Sequence, residues 1–421
     1  MAIKSISVSN FKSFSDIHID LGKFNLLIGA NASGKSNFVQ IFKFLRDINI
    51  YGLENAISLQ GGIEFLRNTN ISSSNSLSLK VVFDQPFIRR FVKNGQEIPL
   101  KIEKTTYEFS LQFNKKGLGY RIIEDKLSQQ CKFVNLENRH NKPVETETIA
   151  TGEMIISKKE TAIIFYSDST LPIVQDDIFP PIFSTKDIPK KKLLLETPFF
   201  FFLFPPFPPY SNFFNDIAIY DFDPKLPKQS TFITGKTELE DDASNLAIVI
   251  KSILENDFNK RKFSNLLKEL MPFIDDINVE KLTDKSLIFK LKELYYQKSQ
   301  YIPAFLISDG TVNLTALIVA LYFEDEPLAI IEEPERNIHP YLIARVVAMM
   351  KEASQEKQII TTTHNPQMVK YAELEDILLI ARNKEGFSTI SRPGKKDEIK
   401  IFLNNEIGLE ELYVQNLLGA E

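Results

Sequence analysis

A glycine-containing segment near the start of the sequence has the residue types and spacing of a phosphate-binding loop. Residues 29–36 are GANASGKS, which matches the pattern GxxxxGK[ST]. Gly29 and Gly34 allow successive backbone N–H groups to converge on phosphate oxygens. Lys35 supplies a positive charge for the β- and γ-phosphates, and the Ser36 hydroxyl can bind Mg²⁺. We therefore predict that the phosphates of a nucleotide are bound by Gly29, Asn31, Gly34, Lys35, Ser36 and Asn37.

Two consecutive carboxylates follow an apolar run later in the chain. Residues 328–331 are Leu-Ala-Ile-Ile, and Glu332 and Glu333 come directly after them. Because side chains alternate along a strand, these two carboxylates cannot do the same job. We predict that Glu332 holds Mg²⁺ through its water shell. Glu333 would accept a proton from the water that attacks the γ-phosphate. A charged strand end is common by itself, so this prediction depends on the phosphate loop.

The start of a further predicted helix lies 24 residues before the first of these carboxylates. Residues 308–311 are Ser-Asp-Gly-Thr, immediately ahead of an amphipathic stretch. In the local interpretation, Ser308 or Asp309 caps the helix and Gly310 permits the turn. In the functional interpretation, the helix N-terminus faces a phosphate. Since residues 29–36 already hold the protomer's own nucleotide, Ser308 and Gly310 would then serve the nucleotide of a partner, in trans.

A histidine ends another predicted strand. Residues 358–362 form an apolar run with two threonines, and His364 follows shortly after it. A single histidine is usually structural, and that interpretation stays open. If this strand neighbours the strand that ends in Glu332, His364 would reach the γ-phosphate edge of the site. We therefore predict His364 and Glu333 as the catalytic residues.

The elements that must position these residues follow from apolar spacing. Residues 24–28 form a short apolar run that ends at the phosphate loop, and apolar residues recur at helical spacing between positions 38 and 45. Residues 1–84 are therefore predicted to form an N-terminal α/β lobe. Residues 231–421 return to the same pattern, with predicted buried parallel strands at 328–331, 358–362 and 377–380.

The segment between these lobes differs in character. Residues 85–230 contain short alternating runs such as 107–113, which predict antiparallel strands. Within it, residues 198–224 are dense in Phe and Pro. They either pack into an irregular core or form a surface for docking a partner. We predict an inserted β-rich domain, with a possible sensing or docking role.

Composition restricts the classes of protein further. The 421 residues include 50 Lys+Arg against 55 Asp+Glu, a net charge of −5, which argues against a strongly basic nucleic-acid module. One Cys and four His exclude a disulfide framework and a Cys/His zinc cluster. The N-terminus lacks the apolar region of a signal peptide, and no apolar run is long enough to span a bilayer. We therefore expect a cytoplasmic protein without a membrane partner.

Taken in order, these motifs resemble the ABC-type ATPases, specifically the branch of SMC, RecF and OLD proteins. The elements that carry the resemblance are NFKSF at residues 10–14, a Walker A motif at 29–36, an ABC signature at 308–311, a Walker B pair at 332–333 and a switch histidine at 364. The resemblance implies an α/β P-loop NTPase fold. Its head would be assembled from the N- and C-terminal lobes, with residues 85–230 as a mixed insertion.

The resemblance also implies roles for residues outside the loop. Lys12, in the N-terminal element, would contact the nucleotide, and Gln60 is the candidate for the glutamine that binds Mg²⁺, although it could equally be part of a plain turn. Two positions depart from the family pattern. Glu332 stands where many ABC ATPases have Asp, and His339 replaces the aspartate found in the D-loop of transporters.

The mechanism that the resemblance implies is a head-to-head dimer that sandwiches two ATP molecules, with Mg²⁺ as cofactor. The sequence shows no long heptad repeat, and the residues after His364 are expected to be too few for the nuclease domain of OLD proteins. We predict a regulatory ATPase that controls a separate effector, a nuclease or toxin, in anti-phage defence. The alternative is a DNA-repair or DNA-maintenance ATPase that clamps DNA. A transporter ATPase is a third class.

Overall fold

The described part of the chain divides into two compact units. The computed structural model describes residues 2–72, 75–84, 86–93, 96–114, 119–139, 142–174, 188–197, 213–295, 300–395, 399, 408–415 and 417–418. The first unit comprises Met1–Gly22, Ser36–Asp216 and Arg382–Ile390, and the second comprises Lys23–Lys35, Ile217–Ala381 and Ser391–Glu421. The predicted division into an N-terminal lobe at 1–84, an inserted domain at 85–230 and a C-terminal lobe at 231–421 stays a prediction.

Strands and helices alternate at both ends of the chain, and strands dominate the middle. In chain order, the strands are β1 (Ile3–Phe11), β2 (Phe14–Asp20), β3 (Phe24–Ile28), β4 (Leu77–Phe83), β5 (Phe87–Lys93), β6 (Gln96–Phe113), β7 (Tyr120–Arg139), β8 (Lys142–Lys159), β9 (Ala162–Ser167), β10 (Ile217–Tyr220), β11 (Thr231–Phe232), β12 (Ile274–Thr283), β13 (Ser286–Glu293), β14 (Tyr301–Pro303), β15 (Leu328–Glu332), β16 (Gln358–Thr363), β17 (Ile377–Arg382) and β18 (Ser388–Ser391). The helices are α1 (Lys35–Tyr51), α2 (Leu53–Leu59), α3 (Ile63–Leu66), α4 (Leu246–Leu254), α5 (Asp257–Leu270), α6 (Asp309–Tyr322), α7 (Pro340–Ala353), α8 (Pro366–Tyr371) and α9 (Leu409–Val414).

The first unit is built on strands in the order β18-β2-β1-β4-β6-β7-β8-β9, with β5 beside β6. Neighbouring strands from β2 to β9 are antiparallel, as alternating runs such as residues 107–113 predict. Within the described ranges, residues 85–213 contain strands and one short 3₁₀ turn. This agrees with the predicted strand-rich character of the middle segment.

Aromatic side chains hold helix α1 against the first two strands. The Phe38 ring lies 6.5 Å from Phe14 and 5.4 Å from Phe42, and the Phe44 ring lies 5.9 Å from Phe11, centroid to centroid. Phe38 and Phe42 are one helical turn apart, so both rings face the same side of the helix. This packing fixes the helix that begins at the end of the phosphate loop.

The Phe- and Pro-rich stretch is described only from residue 213 onward. Phe213 and Phe214 are buried, and their ring centroids lie 5.0 and 5.9 Å from that of Phe83. At these two positions the side chains pack into the core. Residues 198–212, on which the predicted docking surface largely depends, lie outside the described residues.

The second unit contains a parallel sheet in the order β10-β15-β16-β3-β17. Its strands coincide with the apolar runs predicted at 328–331, 358–362 and 377–380, and β3 and β16 are buried along their whole length. In the parallel registers, Ile331 is opposite Thr361, and Thr362 is opposite Leu27. Strands β15, β16 and β3 therefore end at the same edge of the sheet.

Helices α4 to α8 pack with this sheet into one apolar core. A second, antiparallel sheet of β11, β13, β12 and β14 belongs to the same unit. Strand β10 lies within the segment predicted to be inserted, yet it pairs in parallel with β15. None of the helices within the described ranges combines the length and the apolar character that a membrane span requires.

Candidate nucleotide-binding site

The predicted phosphate loop connects β3 to α1 and adopts backbone conformations that require glycine. Gly29 and Gly34 have φ angles of 155° and 120°, which L side chains rarely adopt. A Cβ atom at Gly29 would also overlap with the carbonyl oxygen of Ile380. Asn31 is exposed at the surface of the loop. The backbone can therefore approach a bound phosphate closely from this loop.

Lys35 folds back over the loop that precedes it. Its ammonium donates hydrogen bonds to the carbonyl oxygens of Gly29 at 2.7 Å and Ala30 at 3.1 Å. Burial lowers the pKa of the ammonium. The carboxylates of Glu333, Glu332 and Glu335 oppose that shift. All three carboxylates therefore lie within electrostatic range of the lysine that the sequence assigns to phosphate binding.

The next two residues begin helix α1 within the first unit. Ser36 is exposed, whereas the side-chain amide of Asn37 donates to the Ser13 hydroxyl at 2.8 Å. Ser388 donates a second hydrogen bond of 2.8 Å to the same hydroxyl. Asn37 therefore anchors the start of the helix to neighbouring strands. Its predicted contact with the nucleotide stays a prediction.

Glu333 and His364 meet at the carboxyl edge of the parallel sheet. Glu332 is the last residue of β15, and Glu333 leaves the strand with a φ of 46°. The Glu333 backbone N–H donates to the carbonyl of Thr362 at 3.0 Å, which ties it to β16. Glu333 Oε1 then lies 2.8 Å from Nδ1 of His364. The structure thus brings together the two residues predicted to be catalytic.

The charge on Glu333 is set by opposing influences. Burial raises the pKa of this carboxyl, but the neighbouring Arg336 and His364 outweigh burial, so its pKa is lowered. Glu333 is therefore ionised at neutral pH, as a proton acceptor must be. By contrast, burial raises the pKa of Glu335, which accepts a hydrogen bond from the Thr363 hydroxyl. These two glutamates of one motif thus have different environments.

Two residues that the sequence analysis did not single out also contact this site. Arg336 donates from Nη2 to Glu333 at 3.3 Å and from Nη1 to Asp221 at 3.0 Å. Asp221 directly follows β10 and lies 115 positions before Arg336 in the sequence. Arg336 could have been suspected from its place in the motif around Glu333. No spacing signal in the sequence points to Asp221.

The signature segment forms the N-terminus of helix α6. Ser308 is its N-cap, and its hydroxyl accepts a hydrogen bond from the Thr311 backbone N–H at 3.2 Å. The local interpretation of this segment is therefore observed. A Cβ atom at Gly310 would overlap with the Asn337 carbonyl oxygen, so glycine permits a close approach here. Ser308 itself is exposed, and a contact with a partner's nucleotide stays a prediction.

Lys12 and Gln60 both lie in the first unit. Lys12 has a φ of 47°, and burial lowers the pKa of its ammonium. Gln60 ends helix α2 and is 5% exposed, and neither its amide nitrogen nor its amide oxygen has a hydrogen-bond partner in the described part of the chain. Buried polar atoms of this kind are uncommon in proteins. The nucleotide and Mg²⁺ contacts assigned to these residues remain predictions.

The oxygen donors at this site suit Mg²⁺. This ion prefers carboxylate, hydroxyl, phosphate and water oxygens and is usually held by one or two protein side chains together with substrate phosphates. Glu332 provides a carboxylate at the edge where β3 leads into the phosphate loop, and Ser36 provides an exposed hydroxyl directly after Lys35. The contacts of Glu332 and Ser36 with Mg²⁺ stay predictions.

The chain matches known proteins over most of its length. The family described as "AAA domain, putative AbiEii toxin, Type IV TA system" matches residues 24–147 and 168–370. An "ATP/GTP phosphatase" of Helicobacter pylori (strain ATCC 700392 / 26695) is 21% identical over 378 residues, which cover 87% of this chain and 86% of that protein.

Solved structures similar to the chain include two SMC heads. The SmcHead bound to the C-winged helix domain of ScpA has a TM-score of 0.47 and 16% identity, covering 93% of this chain and 97% of that one. The SMC head domain from Thermotoga maritima has a TM-score of 0.42 and 14% identity, covering 93% of this chain and 99% of that one.

The matched family model includes both the phosphate loop and the segment that carries Glu332, Glu333 and His364. The predicted P-loop α/β fold and the resemblance to ABC-type ATPases are thereby confirmed. The chain belongs to the family described as "AAA domain, putative AbiEii toxin, Type IV TA system".

Proposed function

We propose that the protein hydrolyses ATP, with Mg²⁺ as cofactor, at the carboxyl edge of the parallel sheet in its second unit. The observation that carries this proposal is the pairing of Glu333 with His364 at 2.8 Å, within electrostatic range of Lys35. Glu333 accepts a proton from the attacking water, and His364 faces the γ-phosphate. The printed name of the Helicobacter pylori relative, "ATP/GTP phosphatase", supports the same activity.

The remaining residues of the site bind and orient the nucleotide. Backbone N–H groups of residues 29–34 hold the phosphates, because the loop gives them no competing side chains at Gly29 and Gly34. Lys35 exchanges its contacts with the loop carbonyls for contacts with the β- and γ-phosphates. Lys12 and Gln60 belong to the first unit, and the nucleotide and Mg²⁺ contacts assigned to them stay predictions.

This activity is tested by measuring phosphate release from ATP by the purified full-length chain. We expect release in the presence of Mg²⁺, loss of release with a chelator, and recovery when excess Mg²⁺ is added back. A preparation carrying both Lys35→Ala and Glu333→Gln serves as the control for contaminating phosphatases. Equal Mg²⁺-dependent release by the doubly substituted chain would contradict the proposed site.

We further propose that two copies of the chain close around two ATP molecules, and that Ser308 and Gly310 of one copy contact the nucleotide of the other. Ser308 is exposed at the start of α6, where backbone N–H groups favour an anion. ATP would then act as a ligand that joins the two copies. Its hydrolysis would remove the contact that holds the closed dimer.

Replacing Ser308 by arginine is expected to block ATP-dependent dimerisation while ATP binding by the monomer persists. The large side chain would occupy the place of the partner's phosphates, and loss of the N-cap costs only about 1 kcal/mol of stability. Light scattering with and without ATP measures the change in mass. Ser252→Arg, at an exposed position of α4, is the matched control. A normal ATP-dependent increase in mass for Ser308→Arg would refute the contact in trans.

The biological role that we propose is control of a separate effector, a nuclease or toxin, in anti-phage defence. The family description names a putative AbiEii toxin of a type IV TA system, and this supports a connection with a toxin. In the DNA-clamping alternative, basic side chains would be available for phosphates. Lys190 pairs with Glu160 at 3.4 Å and Lys191 with Glu54 at 3.6 Å, but all four side chains are largely exposed, so these weak pairs leave both lysines accessible to phosphates. Co-purification of a nuclease or toxin from the native operon tests the effector role, and ATPase activity stimulated by DNA with a steep salt dependence would favour the alternative.

A further inference from the structure

Arg336 connects Glu333 to a part of the sheet that carries no recognised motif. Its guanidinium donates to the carboxylates of Glu333 and Asp221 and, at 3.3 Å, to the carbonyl oxygen of Phe222. Each of these groups is an acceptor, and a guanidinium presents its donors in a rigid planar fork. The side chain of Arg336 therefore has a defined orientation between β10 and the end of β15.

The carboxylate of Glu333 needs a contact of this kind to fix its orientation. Its side chain is 30% exposed and projects from a backbone position with positive φ, beyond the last residue of the strand. The second group that contacts it, His364, is itself 52% exposed. A long, partly solvated side chain has several rotamers of similar energy, and most of them would not face the attacking water.

Asp221, the second carboxylate that Arg336 contacts, directly follows strand β10 and is held by the sheet. Strand β10 pairs in parallel with β15, with Tyr220 opposite Ile331, so Asp221 lies beside the end of β15. The Asp221 backbone N–H donates to the carbonyl of Asp241 at 2.9 Å. Asp221 is therefore held in place independently of its contact with Arg336.

The backbone of Arg336 is also held by a contact with α6, the helix that begins at the signature segment. The side-chain amide of Asn313, one turn into α6, donates to the Arg336 carbonyl at 2.7 Å. The residue thus touches the signature helix through its backbone and Glu333 through its side chain.

We propose that Arg336 and Asp221 act together as positioning residues that orient Glu333 for hydrolysis of ATP. Asp221 orients the guanidinium, and the guanidinium orients the carboxylate. This inference rests on the proposed function, because it gives Glu333 the role of the base. Neither residue needs to contact the nucleotide, so both should affect the hydrolytic step and leave ATP affinity unchanged.

The test compares Arg336→Gln, Asp221→Asn and the double variant in the full-length chain. Single-turnover hydrolysis gives the rate per bound ATP, and a fluorescent ATP analogue gives Kd. We expect Arg336→Gln to lower the rate between about 10- and 100-fold, since small misplacements of catalytic groups have effects of that size. Asp221→Asn should cause a smaller loss, and the double variant should be no slower than Arg336→Gln, because both changes break one connection.

Three further variants make the outcome specific. Arg336→Lys keeps the charge but not the fork, so its rate should lie between those of the unchanged chain and of Arg336→Gln. Asp223→Asn, two residues beyond Asp221, removes an exposed carboxylate that accepts a turn hydrogen bond from the Lys225 N–H, and the rate should stay unchanged. Glu333→Gln tests the proposed function in the same assay.

The possible results separate the two proposals. Loss of hydrolysis in Glu333→Gln together with an unchanged rate in Arg336→Gln would overturn the positioning role alone. Retained hydrolysis in Glu333→Gln would overturn the proposed function. Losses that add up in the double variant would show that Arg336 and Asp221 act separately, against the inference. A parallel fall in rate, ATP affinity and melting temperature would indicate a merely structural role and would also overturn it.

Discussion

Replacing Glu333 by glutamine is expected to lower the rate of ATP hydrolysis by about 10²- to 10⁴-fold, the range that general-base catalysis contributes. Glutamine has nearly the same shape, and its amide oxygen can still accept from Arg336. It cannot take a proton from water at neutral pH. The contacts of Arg336 and His364 lower the pKa of Glu333, so the unchanged chain carries the ionised form that this step requires.

The measurement is phosphate release under saturating ATP and Mg²⁺, together with Kd for ATP. Affinity should change little, because the phosphate loop and Lys35 are untouched. The matched control is Glu356→Gln, which removes an exposed carboxylate just after α7 in the same unit. Normal turnover in Glu333→Gln would show that another group accepts the proton.

The same variant should also accumulate the closed dimer. If ATP joins two copies and hydrolysis separates them, a chain that binds but does not hydrolyse ATP remains associated. Light scattering should then report a mass near twice that of the monomer in the presence of ATP and Mg²⁺. A Glu333→Gln chain that loses hydrolysis but stays monomeric with ATP would support the catalytic role and contradict the dimer.

Parts of the site that depend on one short segment could be predicted from the sequence. The loop at residues 29–36 is followed by α1 because glycine conformations and helical apolar spacing are both local properties. To predict that Glu333 and His364 lie close together, one further rule was needed. Parallel strands end at the same edge of a sheet, and the apolar runs before both residues indicated such strands.

The contacts that Arg336 makes with Asp221 and Asn313 could not be predicted, because these residues come from segments that are far apart in the sequence. Asp221 follows β10, a strand of only four residues in a segment whose sequence predicts an insertion. Its contact with Arg336 spans 115 positions, and that of Asn313 with Arg336 spans 23. Neither pairing follows from periodicity or propensity, since each depends on which strands and helices become neighbours in the folded chain.

Replacing Lys35 by alanine is expected to weaken ATP binding by about a hundredfold. Charged hydrogen bonds contribute up to about 3 kcal/mol each, and that energy corresponds to a factor of this size in Kd. In the structure the ammonium binds the carbonyls of Gly29 and Ala30, and the proposal has it exchange these contacts for the phosphates when ATP binds. Alanine removes the positive charge and the hydrogen bonds that the ammonium would make to the phosphates.

Equilibrium titration with a fluorescent ATP analogue measures this loss, and melting temperature without nucleotide checks the fold. Lys23→Ala is the matched control, because this exposed lysine lies just before β3 and donates only to the carbonyl of Gln355, at 3.2 Å, among the described contacts. Lys35 is partly desolvated and lies within electrostatic range of three carboxylates, so its removal leaves a site whose charge repels ATP. The repulsion should weaken as salt is added, so the affinity gap between Lys35→Ala and the unchanged chain should narrow at high ionic strength. An unchanged affinity of the Lys35→Ala chain for ATP would contradict the proposed role of the phosphate loop in nucleotide binding.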